Sequence, residues 1–242
     1  MKRMALLLMV LCLGASAQEG KSRKILFFTK SAGFEHSVIK KPGEAPSHAE
    51  KVLMELAKKN GWEVTHSKDG SLFTKESIAK FDAFFFYTTG DLTQAGKDKQ
   101  PPMSREGKGA LLEAIRNGKG FIGSHCAADT FHTAGSRFQA NGDKSDPYLL
   151  MIGGEFIHHG KQQKTRMICS DPKFPGAAAA GAGFDMMEEW YSFKDYQNDL
   201  PRRTWPKKGQ SVRVDYRYLD GVCKGDGQSH SCRIKHYPMV GP

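Results

Sequence analysis

Beyond its first seventeen residues the chain contains no apolar run long enough to cross a bilayer, which excludes a helical membrane span after that point. It shows no fixed-period repeat, which excludes solenoids and propellers. No His-Glu-x-x-His pair occurs, so the local zinc signature of helical metalloproteases is absent, and no dinucleotide site is expected. Acidic residues fall short of basic ones, 26 against 36, leaving a formal charge of +10. Such an excess suggests an anionic partner, but much of it lies in the last forty residues and reads as solvated surface.

What is present begins with a leader. Lys2 and Arg3 precede the apolar run Met4 to Leu13 and the small residues Ala15-Ser16-Ala17, the pattern of a secretory signal over residues 1–17. The bulky Leu11 before Cys12 disfavours a lipid anchor, so the expectation is cleavage after Ala17 and a periplasmic or secreted protein, for which nucleic acid is not an expected partner. In an oxidising compartment Cys126, Cys169, Cys223 and Cys232 allow three pairings; only Cys223 and Cys232 lie close together in a loop-like stretch. The remaining length suits one α/β domain.

The element pattern alternates. Lys24 to Thr29 reads as a first strand, followed by a polar loop through His36. Ser47 and Glu50 form a capping box for a helix with Val52, Leu53, Leu56 and Ala57 as its apolar face, stopped at Asn60-Gly61. Glu63 to His66 is a short strand. The nearly continuous apolar run Phe81 to Tyr87 suits a strand covered on both faces, as in a parallel sheet. A helix from Ser104 to Asn117-Gly118 leads to the strand Gly120 to Ser124, which ends in His125, Cys126 and Asp129, where ligands usually bind in parallel α/β sheets. A helix over Tyr148 to Ile152, a polar-aromatic loop over Gly153 to His159, a strand over Lys164 to Cys169 and a low-complexity segment over Ala177 to Gly183 follow. Strands and helices alternating in this way predict a doubly wound, mostly parallel sheet with helices on both faces.

Three ordered stretches, GKGFIGSHCAADTF, YLLMIGGEFIHH and EEWYSF, resemble the ThuA-like (trehalose utilization) family, which is related to class I glutamine amidotransferases and has a flavodoxin-like fold. The resemblance runs from about Lys24 to Leu200 and sets the domain at residues 22–200. It implies that His36, His125, Asp129, His159, Glu189 and Tyr191 line one pocket above the sheet. Amidotransferases carry a cysteine nucleophile at the tight turn after the strand. Here His125 takes that position and Cys126 follows it, so amidotransfer is disfavoured. Residues 201–242 form a basic tail without the family's final strand motifs.

The sequence supports a carbohydrate site in which His125 and His159, with Asp129 or Glu189, act as acid/base groups while His36, Trp190 and Tyr191 bind the sugar. The substrate class, trehalose or a related disaccharide or keto-sugar, comes from the resemblance. Alternatives are a zinc or other divalent metal site drawing on His36, His125 and His159, a cysteine hydrolase centred on Cys126, and a non-catalytic binding module of the cell envelope that uses the long loops Lys30 to Ser47 and Phe131 to Asp146.

Overall fold

The computed structural model describes residues 22–169, 181 and 183–195, without the side chains of Thr165 and residues 167–169, and the backbone of short strands within 205–235. The leader, nearly all of the alanine-rich run and the side chains of Cys223 and Cys232 lie outside the described residues.

A four-stranded parallel sheet forms the centre, from β1 (Lys24–Phe28), β2 (Glu63–Ser67), β3 (Ala83–Phe86) and β4 (Gly120–Gly123), in the order β2-β1-β3-β4. Both faces are covered, which explains why β1 and β3 read as apolar runs rather than as an alternation. Leu26, Phe28, Phe84 and Phe86 join one buried cluster with Phe73, Leu111 and Tyr148, while Ile25 and Phe27 are buried on the other face.

Local chemistry sets the helices. Ser47 and Glu50 form the reciprocal capping box of α1 (His48–Asn60), and Gly61 closes that helix at a φ of 68°, the left-handed conformation that glycine adopts without a Cβ penalty. Leu53 and Ala57 are buried as expected, whereas Val52 and Leu56 are 43% and 45% exposed. The apolar stripe of α1 is therefore narrower than the sequence suggested. The short α2 (Lys75–Ala79), which the sequence reading did not separate, precedes β3. Ser104 accepts from Gly107 N–H to start α3 (Arg105–Arg116). A Cβ at Gly107 would stand 2.4 Å from the Phe73 carbonyl oxygen, so only glycine lets this first turn sit against the core. Asp146 caps α4 (Pro147–Ile152), with proline at the first helical position.

The chain after α4 departs from the expected pattern. Glu155–His159 is a strand, β5, and not a loop; it pairs antiparallel with β8 (Tyr191–Lys194) around a bulge at Ile157. Its sequence mixes polar and apolar residues because Glu155 and Phe156 are buried while His158 and His159 are exposed. Between them β6 (Gln163–Cys169) pairs antiparallel with β7 (Gly183–Glu188). In the tail, β9 (Trp205–Lys207) pairs with β10 (Gln210–Val212), and β11 (Tyr218–Gly225) pairs with both β12 (Gln228–Lys235) and β6. No helix among the described residues is long and apolar enough to cross a membrane.

Candidate functional site

Parallel strands deliver their carboxyl ends to one edge, and the site is assembled there from three loops. After β1 the chain reaches His36, just before the 3-10 turn Ser37–Ile39. Tyr87 follows β3 directly. After β4 the chain turns at His125, which has a φ of 49°. A non-glycine residue in that region costs on the order of 1–3 kcal/mol, and the turn sends neighbouring side chains in different directions. The His125 side chain keeps partial exposure, whereas Cys126 is 1% exposed.

The rings converge on His125. Tyr87 stacks on it at 5.5 Å between centroids with a 5° interplanar angle, and His36 meets it edge-on at 4.7 Å. Tyr191 arrives from β8, with its phenolic oxygen 3.2 Å from His125 Nδ1. On the other side Tyr191 stacks with His159 at 5.8 Å, its partner across the β5–β8 pair. His159 Nε2 lies 3.6 Å from Glu189, and His125 Nε2 lies 4.0 Å from Glu188.

Electrostatics follow from this packing. Burial lowers the pKa of His125, with Glu188 and Glu189 partly opposing it. Burial also lowers that of His36, helped by His125 and opposed by Glu189 and Asp129. Both rings are therefore neutral at pH 7 and able to accept a proton. Burial and the neighbouring Asp129 carboxylate push the Cys126 thiol far up, so it stays protonated and is a poor nucleophile. Burial likewise raises the phenols of Tyr87 and Tyr191, which stay protonated, and a protonated phenol oxygen can donate to or accept from an imidazole nitrogen.

Of the expected residues, the fold brings His36, His125, Tyr191, His159 and Glu189 together. Asp129 stands at the margin, its Oδ1 2.9 Å from His132 Nε2 and 3.6 Å from Arg137. Trp190 does not join them: it is 6% exposed and its indole N–H donates to the Gln163 carbonyl, so it serves as packing between strands.

Four residues escaped the sequence reading. Tyr87 carried a usable signal, since it ends an apolar strand as His125 does. Glu188 was visible only as a charge beside aromatics. His132 and Glu155 carried no signal, because their relation is tertiary. His132 Nδ1 lies 3.1 Å from Glu155 Oε1, and the nearly buried Glu155 is also 3.5 Å from Lys194. Contact with Asp129 raises the His132 pKa, with Glu155 adding to it against the effect of burial.

For metal binding, the described residues group His36, His125 and Cys126, whose ligand atoms lie within 4.8 Å of one another. This differs from the expected set by exchanging His159 for Cys126. The glycine spacing of a dinucleotide fingerprint does occur, at Gly118, Gly120 and Gly123. It lies before and within β4 rather than in a turn leading from a strand into a helix, so it builds no phosphate cradle there.

Comparison with known proteins gives one family match, ThuA, described as trehalose utilisation, over residues 24–204. No curated protein sequence matches the chain. Among solved structures, a ThuA-like protein from Bacteroides uniformis is 18% identical with a TM-score of 0.49, over 74% of this chain and 65% of that one. Another, from Parabacteroides merdae, is 17% identical with a TM-score of 0.47, over 90% of this chain and 79% of that one. The chain thus spans less than two thirds of the length of the Bacteroides uniformis protein.

Proposed function

The chain belongs to the ThuA family, described as trehalose utilisation, and on that premise we propose that it is an exported protein that moves a proton on a carbohydrate bound at His125. The substrate is trehalose or a related disaccharide or keto derivative. The observation that carries the proposal is the convergence of His36, Tyr87 and Tyr191 on one neutral imidazole at the carboxyl edge of the sheet. His125 accepts a proton from a sugar hydroxyl or from a carbon next to a keto group, and the resulting imidazolium is stabilised by Glu188 and Glu189. Tyr87 and Tyr191 offer aromatic surface and hydroxyls for sugar recognition. Export rests on the leader, Lys2 to Ala17.

Purified wild type and His125→Ala are to be compared for binding and turnover of trehalose, other disaccharides and their keto derivatives. Turnover by wild type that the variant loses supports the reading. Saturable binding without turnover makes the protein a sugar-binding module, and indifference of wild type to every sugar removes the carbohydrate altogether.

A second reading has its own observation. His36, His125 and Cys126 offer two imidazoles and a sulfur at close quarters, a donor set suited to zinc. A bound ion would deprotonate the thiol that burial otherwise keeps neutral. It would polarise a bound sugar oxygen or water, making the protein a metal-dependent hydrolase. Elemental analysis before and after chelation tests this, with His36→Ala as the control: metal retained by wild type and lost in the variant supports it, and metal at background level ends it.

A further inference from the structure

A cavity of about 410 Å³ opens between the loops after β3 and β4 and the first turns of α3 and α4. None of the converging rings lines it. We propose that this cavity is a subsite for a second sugar unit, adjoining the unit held at His125; the proposal rests on the carbohydrate reading above.

Its size falls in the range of small-molecule pockets, about 300–1,000 Å³. Its composition selects the class of ligand. Asp91 and Asp146 bring negative charge, Arg105 and Lys108 positive, with Leu112 as part of the apolar lining. Lys108 is already committed, since its ammonium pairs with Asp146 and lies 4.0 Å from the centre of the Phe131 ring. The Asp91 Oδ1 atom caps its own turn through Thr93, and Oδ2 is left with a single 3.5 Å contact from Gln94. Arg105 is exposed and has no ion-pair partner among the described residues. An anion entering here meets Asp91 and Asp146, and a cation meets Arg105 and Lys108. A neutral polyol meets no such conflict, because each hydroxyl donates to a carboxylate and accepts from a guanidinium.

Position ties the cavity to the proposed reaction site. The carboxyl edge of the sheet carries both, because the first turn of α3 follows the loop after β3. The segment Asp129–Phe131 runs between them, hydrogen-bonded to Gly90. His132 lines the cavity, its Nε2 stands 2.9 Å from Asp129, and the Asp129 charge acts on His36. A disaccharide laid along that edge places one ring by His125 and the next beside His132.

Gly109 supplies the test. It lines the cavity, and a Cβ there would meet nothing within 4 Å. Gly109→Phe therefore adds bulk to the space without a clash at Cβ, and it removes a glycine from the interior of α3. Arg105→Ala removes the uncommitted cation without adding bulk. Binding of trehalose and of glucose is measured by calorimetry for wild type and for both variants, with folding confirmed by circular dichroism. Wild type is expected to bind trehalose at least tenfold more tightly than glucose. Both variants are expected to lose that advantage while keeping the wild-type affinity for glucose. Equal affinity of wild type for the two sugars, or unchanged trehalose affinity in either folded variant, overturns the subsite and leaves the carbohydrate reading standing. Binding of neither sugar by wild type overturns the subsite, and the carbohydrate reading falls with it only if the wider set of disaccharides and keto derivatives also goes unbound.

Discussion

The phenolic oxygen of Tyr191 stands 3.2 Å from Nδ1 of His125, although 66 residues separate them in the chain. This contact joins the antiparallel β5–β8 pair to the edge of the parallel sheet, and it fixes the plane of the imidazole that the proposed chemistry uses. Tyr191→Phe keeps the ring stacked on His159 and removes only the hydroxyl. The expected result is a two- to tenfold loss of turnover or affinity for trehalose, corresponding to about 0.5–1.5 kcal/mol for one hydrogen bond. Steady-state kinetics or calorimetry checks it, and a change below twofold removes the hydroxyl from the functional account.

The lowered pKa values of His36 and His125 set a pH dependence. An unfolded histidine titrates near 6.5. Between the lowered folded values and 6.5 the unfolded chain binds more protons, so this contribution to stability is full above about pH 6.5 and is lost as pH falls through the folded values. Turnover that needs neutral His125 follows the same direction, with a plateau above that range and a decline towards acid. NMR titration of the two imidazoles measures the values directly; either one titrating above 6.5 contradicts the burial argument.

His132 has the opposite sign. Its raised pKa means that the folded state holds the proton more tightly, so its contribution is full below about pH 6.5 and is lost as pH rises through the folded value. Replacing His132 by Ala leaves Glu155, 2% exposed at its side chain, with Lys194 and the Thr133 N–H as remaining partners. A loss of about 1–3 kcal/mol is expected from the weakened satisfaction of that carboxylate. Urea unfolding at pH 6 and pH 8 tests both statements: the variant should lose more at pH 6 than at pH 8.

Just after β1, Lys30 pairs with Asp98 at 3.3 Å, with side chains 0% and 2% exposed. Lys30 also donates to the Gln100 carbonyl, and Asp98 accepts from Ser31 N–H. Asp98→Ala strands a buried ammonium and is expected to cost about 3–5 kcal/mol. Replacing both partners by apolar residues should cost less than the single change. A double-mutant cycle in urea reads the difference, and equal losses in the single and double variants contradict the pairing.

Where local chemistry was sufficient, the sequence settled the outcome. The Ser47–Glu50 capping box, the stop at Gly61, the Ser104 cap of α3, the apolar strands β1 and β3 and the turn at His125 each depend on residues a few positions apart. The placement of histidines after strand ends followed from the same local reading. Strand β5 was missed because its burial depends on pairing with β8, more than thirty residues further along, and its own residues mix exposed histidines with buried glutamate and phenylalanine. Trp190 was assigned to sugar binding from residue type alone, and only packing showed that its indole faces the Gln163 carbonyl.

By itself, then, the sequence determined the central parallel sheet, the boundaries of α1 and α3 and which residues lie beyond its strand ends, since strand burial and capping are short-range properties of the chain. Tertiary structure alone decided that Tyr191 meets His125, that His132 lies between two carboxylates, and that Cys126 is closed off from solvent. Those outcomes depend on long-range strand pairing and on desolvation, and neither is encoded within a window of neighbouring residues.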